Sequence, residues 1–387
     1  MHDINDRLIN LDRVASRITD ETASRLRTQG RDVLKLSGYP NTPLPDDVLA
    51  IARDAVAQIA QPPSQGLLEL RETLDDELAG ELGYSIGPEQ VLITNGAMHA
   101  LSLVFRSLIS PGDEVAMFSP CYFYHGPIEL SQGVVRRIPL KRENGFAFDF
   151  ERLAETLTEK TKVLLINTPV NPTGYVATAA DIERIAELAE RHNLLVVTDE
   201  VYHAFTYDGH RHLSLLSIPE LRKRTIMIRS FTKSYGLHVW RTGFLTAPPS
   251  LIAGMLKLIE WDVLGLSYLN QKVAEVVLRS SRQWLNVIKA DMRRNRDVLT
   301  AGLQAIVGLN VHLPQAGCFL FLDTANIGLP DCVIAKQLLE DYGIPCTPGS
   351  SHYHPDAIRI AYGGELSTVR EAITRLRTAF AKIERNP

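Results

Sequence analysis

The chain has 387 residues, with 41 Lys and Arg against 45 Asp and Glu and a formal net charge of −4. That balance argues against a nucleic-acid binder, whose footprint is basic. A hydrophobic content of 45% with 25 Gly and 21 Pro excludes disordered, collagen-like and fibrous architectures, and the length holds two or three domains' worth of core. The opening, MHDINDRLINLDRV, lacks a basic stretch followed by an apolar run, so no secretory signal is expected. No run approaches the ~18 apolar residues of a membrane span. The four cysteines (Cys121, Cys318, Cys332, Cys346) show no CxxC spacing, which argues against a disulfide scaffold or a cysteine zinc site. A soluble, cytoplasmic, enzyme-sized protein without membrane or nucleic-acid partners is the expectation.

In chain order, Asp46 opens a helical pattern through Ile59, and Gly66 to Leu82 reads as a second helix. VLIT (Val91 to Thr94) reads as a strand, followed by a helix over Ala97 to Leu108. Strands are expected at Glu114 to Phe118 and Val134 to Leu140, then a helix at Asp149 to Leu157. KVLLIN (Lys162 to Asn167) is apolar at its centre, as a strand covered on both faces should be. A helix over Ala179 to His192 precedes three further strands, Leu194 to Asp199, Thr225 to Ser230 and Thr242 to Ala247. This alternation predicts an α/β fold with a mostly parallel, doubly wound sheet, whose loops at the carboxyl strand ends host the site.

Beyond residue 250 the texture changes. A long helical stretch spans Asn270 to about Ile306. It is followed by VHLP, CFLFLD (Cys318 to Asp323), a helix over Val333 to Tyr342, IRIAY (Ile358 to Tyr362) and a helix over Leu366 to Ile383. We expect a segment 1–36 packed with the small domain, a large domain at 37–275 and a smaller α+β domain at 276–387. The basic run Arg293-Arg294-Asn295-Arg296 lies between Asp291 and Asp297 and reads as a solvated helix face.

Five segments carry chemistry, each at a predicted strand end. In SFTKSYGLHVWRTGF (Ser230 to Phe244), Lys233 has Ser230 three residues before it and Arg241 eight after, which suits an anionic phosphate beside a lysine held for imine chemistry. In VVTDEVYHAF, Asp199 and Tyr202 would both face the crevice if the chain turns into a helix there; a helix cap is the alternative for Asp199. In NTPVNPTG, Asn171 stands in a turn between Pro169 and Pro172 as a fixed hydrogen-bond donor. ITNGAMHAL places Gly96 and Ala97 at a helix N-terminus, where backbone N–H groups can reach an anion. SPCYFYH offers rings for stacking.

The order and spacing of these segments resembles the fold type I enzymes dependent on pyridoxal 5'-phosphate (PLP), specifically the class I/II aminotransferases, from GYP (Gly38 to Pro40) to the Arg359 segment. The resemblance implies a large domain with a mostly parallel sheet and a smaller α+β domain. It implies a reaction moving an amino group between an L-amino acid and a 2-oxo acid, and a homodimer. Lys233 would form the imine with the cofactor and shuttle the proton. Asp199 would stay ionised against the pyridinium nitrogen. Asn171 and Tyr202 would bond the phenolic oxygen, and Tyr122 would stack on the ring. Ser230, Arg241 and the Gly96–Ala97–Met98 turn would hold the phosphate. Arg359, with Gly38 and Asn171 nearby, would grip the substrate carboxylate.

The sequence departs from the family pattern at Gln61, where many relatives have a tyrosine reaching the partner's phosphate, at Val239, commonly glycine, and at Met98, where a polar side chain is frequent. These departures keep an alternative open: a PLP-dependent eliminase, cyclase or oxidase of specialised biosynthesis. A non-catalytic PLP-fold regulator would need a longer, basic N-terminal region, and a nicotinamide dehydrogenase a GxGxxG that is missing. His238 is expected as a core or supporting histidine. His210 with His212, and His352 with His354, sit in polar segments, and two ligands do not make a metal site. No second arginine stands out to read a dicarboxylate.

Overall fold

The computed structural model describes residues 5–40, 43–58, 61–280 and 282–383. Ile59, given above as a helix end, lies outside them. Seven strands form the larger sheet: β1 (Val91–Thr94), β2 (Glu114–Ser119), β3 (Val134–Pro139), β4 (Thr161–Asn167), β5 (Leu195–Asp199), β6 (Thr225–Ser230) and β7 (Gly243–Thr246). Their order is β1-β7-β6-β5-β4-β2-β3, and only β7 runs antiparallel to its neighbours. The central strands are buried over most of their length because helices cover both faces; Val163, Leu164, Ile166, Val196 and Val197 are all sealed from solvent, and only Lys162 on β4 is exposed. Parallel strands deliver their carboxyl ends to one side, so Asn167, Asp199 and Ser230 arrive together there.

Local chemistry sets the covering helices. Thr178 and Asp181 form a reciprocal capping box on the helix Ala179–Arg191. Asp149 accepts from the Arg152 N–H to start Phe150–Thr156. Gly83, left-handed at φ 78°, ends Leu68–Leu82. Helices over Tyr268–Ser280 and Arg282–Leu303 occupy the helical stretch predicted from Asn270. Sequence reading missed the helix Pro249–Val263, whose even apolarity hides its period, and the N-terminal helix Ala15–Thr28, whose polar face dominates.

A second, antiparallel sheet is formed by β8 (Asn310–Val311), β9 (Phe319–Asp323), β10 (Cys346–Pro348) and β11 (Ala357–Ala361), in the order β10-β11-β9-β8. The helices Asp331–Glu340 and Leu366–Ile383 pack with it, and the opening segment joins them. Ala23, Leu26 and Val33 cluster with Leu339, and the Leu34 N–H donates to Gly343 O at 2.8 Å. The basic run differs from its expectation. Arg293 and Arg294 are exposed, but Arg296 is buried, paired with Asp208 at 2.7 Å and Asp297 at 2.5 Å and stacked over Tyr207.

One close approach fixes the sheet against the turn that follows β1. A Cβ on Gly243 would lie 2.8 Å from Gly96 Cα and 3.1 Å from the Ala97 nitrogen. Backbone cannot yield there as a side-chain tip can, so Gly243→Ala is expected to destabilise the fold by about 1–3 kcal/mol. Chemical denaturation of both proteins measures the difference, and an unchanged midpoint would contradict the packing described.

Candidate active site

The carboxyl ends of the parallel strands open into a cavity of about 720 Å³ that also reaches β9, β11 and the N-terminal helix. Its deepest acid is Asp199. Tyr124 Oη donates to Asp199 Oδ2 at 2.7 Å and the Val201 N–H to Oδ1 at 3.1 Å. Residues 201–204 form turns rather than the expected helix, and Asp199 caps no helix. Burial pushes Asp199 up to about 6, against the lowering effect of those two donors, and the neighbouring Glu200 charge pushes the same way as burial. The acid expected to be plainly ionised is therefore poised, and a cation beside it would draw it back to the charged form.

Lys233 lies on the short helix Phe231–Ser234 directly after β6. Its Nζ donates to Gly38 O at 2.6 Å and sits 5.4 Å from the Tyr39 ring centre. Burial, helped by Arg359 and Arg241, pushes this amine down to about 8. Gly38 has no room for a side chain, since a Cβ would collide with the Phe319 ring.

Asn171 and Tyr202 meet directly, Asn171 Nδ2 donating to Tyr202 Oη at 3.3 Å. The turn carrying Asn171 has cis peptides at Thr168-Pro169 and Asn171-Pro172. Arg359, on β11, donates from Nη1 to Asn171 Oδ1 at 3.0 Å, and its Cζ lies 4.1 Å from the Phe319 ring centre. Burial lowers its pKa from the ordinary guanidinium value. Tyr122 lines the same cavity, 5.6 Å centre to centre from Tyr124.

A cradle forms where β1, β6 and β7 end. Gly96, at φ 78°, precedes the helix Ala97–Leu108. A Cβ there would stand 2.7 Å from Arg241 Nη2, so glycine lets the guanidinium approach the helix N-terminus. Arg241 Nη1 donates to Thr232 Oγ1 at 3.2 Å, and Ser230 Oγ accepts from the Thr232 N–H at 3.1 Å. Met98, in the first turn of that helix, lines the cavity and packs on the apolar cluster below. The residues that the sequence suggested for cofactor and substrate thus stand at this cavity or its cradle.

Sequence reasoning passed over several residues here. Tyr124, two places after Tyr122 in the same aromatic cluster, holds Asp199. Thr232 bridges Ser230 and Arg241. Arg17, Thr19 and Asp20 reach the cavity from the N-terminal helix, and Arg17 supplies a second arginine there, 3.4 Å from Asp20. Only the helical period of that segment could have signalled them. His238 is no core residue: half-buried, it lines the cavity and stacks on Tyr39 with ring centres 3.8 Å apart. Of the other histidines, His352 is buried against Cys121 O and Thr347, and His354 bonds Arg142. The departures Gln61 and Val239 are exposed.

A lysine amine lowered toward neutrality, a buried acid and an arginine-lined anion cradle, at the carboxyl ends of a mostly parallel seven-stranded sheet, define a fold type I PLP-dependent enzyme. The sequence matches the profile of the aminotransferase class I and II family over residues 38–376, and the chain belongs to that family. It is 31% identical to the aspartate/prephenate aminotransferase of Thermus thermophilus over 93% of both chains. It is 32% identical to a probable N-succinyldiaminopimelate aminotransferase of Mycobacterium tuberculosis over 88% of this chain and 90% of that one. The structure of Thermus thermophilus aspartate aminotransferase with maleate superposes with a TM-score of 0.93 at 30% identity, covering 98% of this chain and all of the other. The chain is a PLP-dependent aminotransferase, moving an amino group between an amino acid and a 2-oxo acid.

The residues present fit that cofactor. Glycine at 96 lets the Arg241 guanidinium reach the N-terminus of the helix Ala97–Leu108, a pairing of positive charge and free N–H groups that suits a phosphate, and Asp199 faces the cavity with no cation of the described chain on its carboxylate. When bound, PLP supplies an aldehyde and an electron-withdrawing ring that together acidify the Cα–H of an amino acid.

The lowered Lys233 amine has a signed consequence. Below about pH 8 it is charged and no nucleophile; above it is neutral. The unfolded chain keeps the ordinary value of 10.5, so this group adds stability as pH rises from about 8 toward that value. Stopped-flow absorbance of apo-protein mixed with PLP is expected to show capture accelerating with a midpoint near pH 8. A midpoint near 10 would show an unperturbed lysine.

Proposed function

We propose that this aminotransferase works through Lys233, Asp199, Asn171, Tyr202, Tyr122, Arg359 and the Gly96–Ala97–Met98, Ser230 and Arg241 cradle. The observation that carries this reading is the convergence of Lys233, Asp199 and Arg359 on one cavity from β6, β5 and β11. Arg359 holds the α-carboxylate of an L-amino acid with a two-pronged fork, oriented by Asn171 and by stacking on Phe319. Lys233, neutral once its proton is shed at about pH 8, would hold the cofactor aldehyde and, released when the substrate amine takes its place, would take and return the Cα proton. Gly38 O holds that amine in the free protein. Asp199, buttressed by Tyr124, keeps the ring nitrogen protonated. Asn171 and Tyr202 hydrogen-bond the phenolic oxygen, and Tyr122 covers the ring face.

Both halves of the reaction use one cavity, so amino donor and 2-oxo acid bind in turn. The division of the chain at residues 36 and 275 belongs to this reading, supported by the second sheet's confinement to residues 310–361. A reducing, cytoplasmic setting accords with the free thiols of Cys121, Cys318 and Cys346, each buried and pushed up to about 12.

The decisive experiment incubates the PLP-loaded protein with a panel of L-amino acids and follows the cofactor spectrum. Transamination converts the cofactor to its amine form and releases a 2-oxo acid in equal amount, without ammonia. Ammonia release with the aldehyde form regenerated each cycle would favour elimination or oxidation instead. Lys233→Ala is expected to lower turnover by at least about ten-thousandfold, the upper end of the 10²–10⁴ typical of a lost general base alone, because covalent capture is lost too. Turnover within tenfold of wild type would remove Lys233 from the mechanism.

A homodimer forms part of the proposal. Trp261 is 90% exposed, with Val263 and Leu264 beside it at the end of Pro249–Val263. This patch adjoins the loop of Gln61, since Ser64 Oγ donates to Leu264 O at 3.0 Å. Contiguous exposed apolar surface of this kind marks an interface, and a second copy there would meet the rim near Gln61. Trp261→Glu is expected to shift the mass measured by light scattering from two chains toward one; an unchanged mass would place the interface elsewhere.

A further inference from the structure

Asp199 and Ile228 face each other across β5 and β6, and Glu200 and Arg229 each lie one position further along. Side chains alternate along a strand. Asp199 and Ser230 therefore line the cavity, while Glu200 and Arg229 point behind it. Both charges are sealed, at 0% and 1% exposure. Arg229 donates to Glu200 Oε2 from Nε at 3.2 Å and from Nη2 at 2.9 Å, and its other side forks onto Glu81 with two bonds of 2.7 Å. Glu200 also accepts from Ser214 Oγ at 2.9 Å and the Leu215 N–H at 3.3 Å, and lies 3.0 Å from His212 Nε2. The reaction uses none of these groups directly.

We propose that the Arg229–Glu200 pair is a positioning element for the cofactor: it fixes the spacing of the strand ends bearing Asp199 and Ser230 and keeps a compensated charge behind Asp199. The proposal rests on the assignment of those two residues to cofactor binding. A buried pair contributes little net stability when matched, but removing one partner leaves an isolated charge in a medium that cannot screen it. Here the charge that loses its guanidinium would be Glu200, left with His212, Ser214 and the Leu215 N–H, adjacent to Asp199 and already pushing its pKa upward. Without Arg229, Asp199 would move toward its neutral form and lose its hold on a protonated ring nitrogen. A second path leads to the lysine: His203 Nδ1 lies 3.1 Å from Glu200 O and 3.3 Å from Ser234 Oγ, which donates to Val201 O at 3.1 Å. Ser234 follows Lys233 directly.

The test titrates apo-protein with PLP, reading tryptophan fluorescence and cofactor absorbance, at a temperature below each variant's apo melting point. One pKa unit on Asp199 corresponds to tenfold, so Arg229→Gln is expected to weaken PLP binding by about tenfold or more. Arg229→Lys, which keeps the charge and loses the fork, should bind at least about threefold better than Arg229→Gln. Should Arg229→Gln fail to fold, Glu81→Gln, altering the partly exposed anchor, is expected to weaken binding by about threefold with the apo melting point kept. Arg229→Gln within twofold of wild type, Arg229→Lys no better than Arg229→Gln, or Glu81→Gln equal to wild type would overturn the proposal. A merely structural pair would lower the apo melting point while the folded protein bound PLP normally. Failure of wild type itself to bind PLP would instead strike the cofactor assignment.

Discussion

The site depends on holding one carboxylate out of water. Asp199 is 3% exposed at the end of a strand buried on both faces, and its rise from 3.8 to about 6 corresponds to roughly 3 kcal/mol disfavouring the ionised form. Two donors, Tyr124 Oη and the Val201 N–H, offset part of that cost. The remainder is an unmet demand for positive charge inside the cavity. In the proposed site a pyridinium nitrogen would meet it, so that one contact would relieve the protein's tension and serve the cofactor's need for a protonated ring. The parallel sheet makes this possible, because it brings Asp199 beside the ends of β4 and β6 without any loop having to enter the core.

The second constraint is that no single sheet builds the site. Lys233 and Asp199 come from the large sheet and Arg359 from the antiparallel one, while the N-terminal segment supplies Gly38. That segment is fastened by the bridge of Ser37 to Gly363, two residues past the end of β11, so the carbonyl that receives Lys233 Nζ is referenced to the arginine's strand. Phe319 links the two further: it lies 4.1 Å from Arg359 Cζ and 5.9 Å from Lys233 Nζ, and leaves no room for a side chain on residue 38. Lys233 and Arg359 are thereby held at a fixed relation, which suits their proposed roles toward a substrate bearing both an amino group and a carboxylate.

Much of this could be read from the chain because parallel strands announce themselves. TIMIRS is a strand over the residues expected, VLLIN is sealed as its composition demands, and the groups after each strand fall at the cavity. Pairings across distant segments were illegible. Nothing in SPCYFYH says that Tyr124 rather than Tyr122 touches Asp199, since that depends on the turn geometry after Ser119-Pro120. Charge patterns misled where tertiary partners intervene: Arg296 sits in a run that looks solvated, yet Asp208, far away in sequence, draws it inside. Arg229 within an otherwise apolar strand was the converse, a buried charge visible in the sequence whose partners, Glu81 and Glu200, only the fold discloses. The partner of His238 was hidden for a similar reason, as Tyr39 stands in the distant N-terminal segment.

Of the three departures from the family pattern, Gln61 and Val239 are exposed, while Met98 is half-buried in the first turn of the helix beside the cradle. His238 and Arg17 also line the cavity with part of their surface in water, whereas Asp199, Asn171, Tyr202 and Arg359 are buried and bonded to one another or to their supports. The energetics explain the partition. Within the centre, removing any member leaves another polar group unsatisfied at low dielectric, so substitutions there are costly in concert. At the rim, a lost contact is replaced by water at little cost. The molecule is thereby divided into a buried network whose members hold one another in place and an outer ring of Tyr39, His238, Val239, Arg17 and Asp20 along the same cavity, where the Tyr39–His238 stack and the Arg17–Asp20 pair stand nearer to water.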